Sequence, residues 1–143
     1  MTVAAILNEK GRDIISDTAD RTLKDICEVL GEKRIGAIVI LGAGGGIEGI
    51  VSERDVVRAI SEHGPEALSQ PASAVMTRKV VTCSEDDTIN EVMSLMTSGR
   101  FRHLPVLREG RLVGLISIGD VVKHRIAQIE REAEDMRTYI AMS

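Results

Sequence analysis

Two stretches of the chain carry the same pair of polar groups three residues apart: Ser52 with Asp55, and Ser117 with Asp120. A hydroxyl and a carboxylate at this spacing can do two things. At a helix start the hydroxyl accepts an orphan backbone N–H and the carboxylate reaches back, which makes a structural cap. The same helix N-terminus, with its remaining N–H groups, can cradle a phosphate. A carboxylate beside it can accept hydrogen bonds from vicinal hydroxyls, as an acidic residue does on a ribose. Capping alone explains one occurrence. The repetition points to binding, and the two roles are compatible.

Basic residues accompany both pairs. The first set is Lys33, Arg34 and Arg54, and the second is Arg100, Arg102 and His103. Such charges are ordinarily solvated surface, but grouped at a strand edge in both copies they could hold phosphates. His103 can switch charge near neutral pH, whereas His63 and His124 read as solvated. The run Gly44-Gly45-Gly46-Ile47-Glu48-Gly49 formally matches GxGxxG. A dinucleotide fingerprint must open into a helix, and Ile47–Ser52 reads on as a strand, so a hairpin turn is expected. There is no nucleophile elbow, HExxH or P-loop. Three scattered histidines and two cysteines outside any CxxC offer no His/Cys metal site. No catalytic residues and no metal are therefore assigned. Asp86-Asp87 reads as a solvated helix start.

The elements that must position these groups occur twice. Gly49–Arg58 recurs as Gly114–Lys123, with the glycine, Ser, Asp and both valines identical. Upstream, Ile14–Ser16 lies over Val80–Thr82, Thr22–Asp25 over Thr88–Glu91, and Ile38–Leu41 over Leu104–Leu107. Each half predicts a short strand (Ile14–Ser16, Val80–Thr82) and a helix opened by a Thr-x-x-acid capping box. In the first helix Leu23, Ile26, Cys27 and Leu30 form one apolar stripe. Two apolar runs follow as a hairpin: Ile35–Leu41 with Ile47–Ser52, and His103–Leu107 with Leu112–Ser117. A second helix then begins near Ser52 or Ser117. The domain reading is 3–63 for the first repeat, 64–74 for a linker with a helical turn near Glu66–Leu68, 75–126 for the second repeat and 127–143 for a helical extension. In the tail, Val122, Ile126, Ile129, Ala133, Met136 and Ile140 recur at alternating spacings of four and three, an a/d seam. The stripe either packs on its own domain or, because it continues past the repeat, meets a second copy.

Composition excludes several classes. Hydrophobic residues are 43% and charged residues 28% of 143, so the chain is not a disordered one. One Phe, one Tyr and no Trp leave no stacking surface for nucleic acid, and a net charge of −4 attracts neither nucleic acid nor an anionic membrane. The core must be aliphatic. The N-terminus lacks a basic region before its short apolar stretch Val3–Leu7, and no run is long enough to span a bilayer. Cys27 and Cys83 read as reduced core residues of a cytoplasmic protein.

The ordered set of motifs resembles a tandem pair of CBS domains, the Bateman module. It is carried by Val75–Thr82, Asp87-Thr88, Arg102-His103-Leu104-Pro105-Val106 and Gly114–Val122, and by Asp20–Thr22, Gly36–Ile40 and Gly49–Val56. The short stand-alone format is similar to small bacterial CBS-pair proteins. The resemblance implies an α+β fold: two pseudo-symmetric β-α-β-β-α repeats packed into one module, here with a C-terminal helix. It implies a regulatory, non-catalytic protein that binds AMP, ADP, ATP, NAD(H) or S-adenosylmethionine in clefts between the repeats. It also implies a homodimer acting on a regulated protein. By motif match, Asp55 and Asp120 would hold ribose hydroxyls, and Ser52 and Ser117 would sit at the phosphate; Arg54 and Gly119 are further nucleotide-binding candidates. Gly36, Ala37 and Ile38, and His103, Leu104 and Pro105, would line the adenine pocket through backbone groups, Ser16 and Thr82 on the first strands would line the clefts, and Arg102 is a further nucleotide-binding candidate. The halves differ where Gly36-Ala37 and Val39 face Arg102-His103 and Pro105, so the second site should be more basic. A ligand-independent dimeric adaptor is the rival reading. A nicotinamide oxidoreductase rests on the glycine run alone.

Overall fold

The computed structural model describes residues 1–142, and within it the chain divides into two units. The first is continuous, Ile14–Val81; the second joins Met1–Asp13 to the chain from Thr82 onward.

In the first unit, β1 (Ser16–Asp17) runs parallel to β2 (Ala37–Leu41), which pairs antiparallel with β3 (Ile47–Ser52). Helix α2 (Leu23–Lys33) is opened by Thr22, whose hydroxyl accepts the Asp25 N–H at 3.2 Å. The expected capping box is half made here, because the Asp25 carboxylate turns toward Arg21 at 3.9 Å. Leu23, Ile26 and Leu30 bury the predicted stripe, with Cys27 packed at its edge. Helix α3 (Glu53–His63) follows β3 directly. A 3-10 turn (Gly64–Ser69) and the short α4 (Ala72–Val75) then return to the sheet. Ile50 and Thr77 exchange two backbone hydrogen bonds of 3.0 and 2.9 Å. Ile38, Ile40, Val51, Ala67, Ala72 and Met76 complete the aliphatic core.

The second unit repeats this plan with β4 (Cys83–Ser84), α5 (Ile89–Gly99), β5 (His103–Arg108), β6 (Arg111–Ser117) and α6 (Ile118–Met142). Both hairpins shift register at the same place, Ile40/Leu41 and Val106/Leu107. The first strands are two residues long and begin later than the apolar runs predict. Pairing starts only where Ser16 meets Val39 and Cys83 meets Val106. The glycine run is a turn, with Gly42 N–H donating to the Gly46 carbonyl at 2.8 Å, and β3 passes through Gly49 as a strand. That removes the basis for the oxidoreductase reading.

An N-terminal helix, α1 (Val3–Lys10), was not anticipated. Val3, Ile6 and Leu7 are fully buried, and the Val3 and Ala4 N–H groups donate to the carbonyls of Asp87 and Glu85. The helix packs on β6 and α6 of its unit. It also corrects the reading of His124, which is buried with Nε2 3.1 Å from Glu9 of α1; no local pattern could reveal a helix arriving from the far end of the chain. His63 is exposed.

This packing explains the repeated glycine. A Cβ on Gly49 would lie 2.7 Å from Met76 Sδ and 2.9 Å from the Thr77 carbonyl, and one on Gly114 would lie 2.6 Å from Leu7. In each unit a segment remote in sequence presses against the third strand at that residue: Met76-Thr77, downstream of β3, and Leu7, far upstream of β6.

Arg34 and Arg100 end α2 and α5 in the left-handed region, with φ of 55° and 58°, and their N–H groups donate to Leu30 and Met96. Their repetition is therefore at least partly C-capping geometry. Glycine adopts this backbone without a Cβ penalty. Arg100→Gly is expected to raise stability by about 0.5–1 kcal/mol, read as an upward shift of the urea midpoint. A loss of stability would show that the Arg side chain holds something more.

Candidate functional site

In both units the carbonyl preceding the second strand accepts the first helical N–H: Glu53 N–H to Gly36 at 3.0 Å, and Ile118 N–H to Arg102 at 2.8 Å. The serine hydroxyls accept the third: Asp55 N–H to Ser52 Oγ at 3.3 Å, and Asp120 N–H to Ser117 Oγ at 3.2 Å. The carboxylates reach back, each accepting its serine N–H at 2.9 Å. At these two helix starts that leaves the N–H of Arg54 and of Gly119 with no partner among the described residues, as is also so for Lys24 and Asn90 at the starts of α2 and α5. An anion placed at either helix start would meet it together with the positive end of the helix dipole.

The two carboxylates are not equally accessible. Asp55 is 6% exposed and nearly consumed: Oδ2 also accepts the Ser52 hydroxyl at 3.0 Å, while Oδ1 accepts Thr77 at 3.2 Å and lies 3.6 Å from Arg58. The Asp120 side chain is 25% exposed, and its Oδ2 also accepts the Lys10 ammonium at 2.7 Å. Lys10 is fixed by a second hydrogen bond to the Leu115 carbonyl at 2.9 Å. Burial alone would raise the Asp120 carboxyl, but the Lys10 hydrogen bond and the Ser117 N–H outweigh it and hold the carboxyl below its usual range. A depressed folded value means this contribution is present above the unfolded pKa near 3.8 and is lost as pH falls through the folded one. The melting-temperature difference between wild type and Lys10→Met should therefore be present at pH 7 and vanish in strong acid. Its size should be under about 1 kcal/mol, because the pair faces solvent. A constant difference at all pH values would contradict the pairing.

The other candidates fall at the same sheet ends. Ala37 pairs with Ser52 across the first hairpin, and His103 with Ser117 across the second. Ser16 is exposed on β1, opposite Val39, and Thr82 is half-buried just before β4. Ala37, Ile38, Leu104 and Pro105 are buried, so a ligand there would meet mainly backbone; Gly36 and His103 are partly exposed and Arg102 is exposed. Lys33 sits in the last turn of α2, and Arg34 and Arg100 are the caps described above. Sequence reasoning missed Lys10, Thr77 and Arg58. Thr77 and Lys10 play one part in the two units: a segment remote in sequence from the Ser-x-x-Asp helix start supplies one polar group to its carboxylate.

Cys27 and Cys83 are both free thiols. Burial, and then the Asp87 charge, push Cys83 up to about 12, so it is no nucleophile at neutral pH. Among the described residues no helix is long and apolar enough to cross a membrane.

Two copies of a β-α-β-β-α unit, each ending its hairpin in a Ser-x-x-Asp helix start, define the class, and the chain belongs to the CBS-domain family. The family profile for the CBS domain matches residues 6–62 and 72–127. The crystal structure of the CBS-domain-containing protein ATU1752 from Agrobacterium tumefaciens superposes with a TM-score of 0.85 at 43% identity, covering 87% of this chain and 99% of that one. The mitochondrial CBS-domain-containing protein CBSX3 of Arabidopsis thaliana is 29% identical over 147 residues, covering 97% of this chain and 71% of the relative. Some relatives are much longer: the chain spans 21% of CBSCBSPB2 from the same plant. The CBS-domain pair of protein MJ0100, solved in complex with 5-methylthioadenosine and S-adenosyl-L-methionine, shares the fold with a TM-score of 0.79 at 21% identity, covering 90% of this chain and 98% of that one. CBS-domain pairs are regulatory modules.

Proposed function

We propose that this protein is a non-catalytic sensor that binds an adenosine-containing ligand at its Ser–Asp helix starts and, through it, biases a regulated protein. The observation that carries the reading is the repeated pair of reciprocal caps, each leaving one helical N–H unused. The ligand class is AMP, ADP, ATP, NAD(H) or S-adenosylmethionine; the complex of MJ0100 supports an adenosine core. Asp120 is the better ribose acceptor, being more exposed than Asp55. Lys10 and Arg102 give the second unit the cations suited to a phosphate. The Asp55 helix start would bind more weakly, since Thr77 and Arg58 already occupy its carboxylate. The adenine ring would lie against aliphatic side chains and backbone, since neither site supplies an aromatic face. Free thiols fit a reducing compartment such as the cytoplasm.

The protein acts as a homodimer on this reading. Val57 and Ile60 of α3 and Val122 and Ile126 of α6 are exposed apolar residues that a second copy would cover. The same exposure supports the rival, a dimeric adaptor that needs no small molecule. Thermal shift separates the two. A ligand that binds only the folded state raises the melting temperature by mass action. The sensor predicts a concentration-dependent rise with at least one of AMP, ADP, ATP, NADH or S-adenosylmethionine. No rise with any of them favours the adaptor.

A further inference from the structure

Helix α6 continues well past the matched repeat, and its apolar stripe is uncovered. Ile126, Ile129 and Met136 are 51%, 47% and 59% exposed, and Ile140 is exposed beyond them. With Ile126, Ala133 and Ile140 at a, and Val122, Ile129 and Met136 at d, the seam spans about 28 Å at 1.5 Å per residue. The flanking positions then carry an ordered charge pattern. The e positions are Lys123, Glu130 and Arg137; the g positions include Arg125 and Glu132.

We propose that α6 forms a parallel, in-register two-stranded coiled coil with α6 of a second copy. This rests on the homodimer reading above and adds its surface, direction and register. In a parallel pair each g residue faces the e residue five positions later on the other helix. Arg125 then meets Glu130 of the second copy, Glu132 meets its Arg137, and symmetry doubles both pairs. An antiparallel pair in full overlap layers Ile126 on Met136 and Ile129 on Ala133, which sets Glu130 against Glu130, Glu132 against Glu132 and Lys123 against Arg137; a shift of one heptad, Ile126 on Ile129, relieves these clashes only by giving up the Met136 and Ile140 layers. The charges favour the first arrangement and oppose the second. In the single chain these arginines make only local contacts, Arg125 with Gln128 at 3.3 Å and Arg137 with Glu134 at 3.1 Å, which can exchange for interhelical ones. The seam is short for a free coiled coil, but α6 is anchored in its own unit through the buried Val121 and His124, so association need not nucleate the helix.

Sedimentation equilibrium and cysteine cross-linking on the full chain test this. Arg137→Glu should weaken the dimer about tenfold by setting a second carboxylate against Glu132, and Glu132→Lys with Arg137→Glu should restore it. Met136→Cys should cross-link between copies under oxidised glutathione while the parent chain does not. A monomer at every concentration overturns both the homodimer and the coil. A dimer that tightens in Arg137→Glu, or in which Met136→Cys fails to cross-link, overturns the parallel seam alone. A dimer indifferent to all these changes places the interface elsewhere and overturns it equally.

Discussion

Leu7→Ala is expected to cost about 3 kcal/mol of stability, and to cost it in the unit that begins at Thr82 rather than in the sequence-adjacent one. Leu7 is fully buried, and its side chain fills the space that the missing Cβ of Gly114 leaves open on β6. Truncation removes the apolar area and leaves a cavity between α1 and the sheet, where the backbone is held by the Val3 and Ala4 hydrogen bonds to Asp87 and Glu85. The site should therefore collapse poorly. Urea unfolding gives the magnitude. Native-state hydrogen exchange gives the location: amides of β5, β6 and α5 should lose protection, while those of β2 and β3 keep theirs. A cost below about 1 kcal/mol, or a loss confined to Ile14–Val81, would mean that α1 is not part of that unit's core.

The second large effect is at Asp55. Its carboxylate accepts the Ser52 N–H, the Ser52 hydroxyl and the Thr77 hydroxyl while only 6% exposed. Asp55→Ala removes the reach-back half of the α3 capping box and strips the half-buried Ser52 N–H and hydroxyl of their acceptor, while the exposed Thr77 hydroxyl can turn to water. A cost of about 2 kcal/mol follows from the lost half of the capping box and the two half-buried Ser52 donors together. Asp120→Ala should cost about 1 kcal/mol, since Lys10 and the Ser117 N–H there can turn to water. The comparison matters more than either value. Equal losses would mean that the two carboxylates are equally enclosed and that the second unit has no privileged site.

This asymmetry was only partly legible in the sequence. The repeat, the hairpins, the α2 stripe and the Ser-x-x-Asp helix starts all rest on local spacing, which sequence carries directly. Arg102 and His103 also showed that the second site would be more basic. Lys10, Thr77 and the burial of His124 rest on contacts between segments far apart in the chain. Lys10 reaches Asp120 only because α1 crosses to β6 and α6, and nothing in Val3–Lys10 names that destination. Arg34 and Arg100 were misleading for a different reason. Their repetition looked like phosphate chemistry, yet both have the backbone of a helix C-cap. Gly49 and Gly114 were visible as identities, and only the packing of Met76 and Leu7 supplies their cause.

The central claim is that the Ser117–Asp120 helix start receives the ribose and phosphate of an adenosine-containing ligand. Titration calorimetry on the full chain tests it most directly, with wild type and Asp120→Asn titrated with AMP, ATP and S-adenosylmethionine. Asparagine keeps an acceptor for the Ser117 N–H while removing the charge. The account predicts a binding heat with at least one ligand in wild type and affinity weaker by about tenfold or more in Asp120→Asn, the loss expected for a hydrogen bond to a charged acceptor. No heat with any of the three, or the same affinity in both proteins, would contradict it.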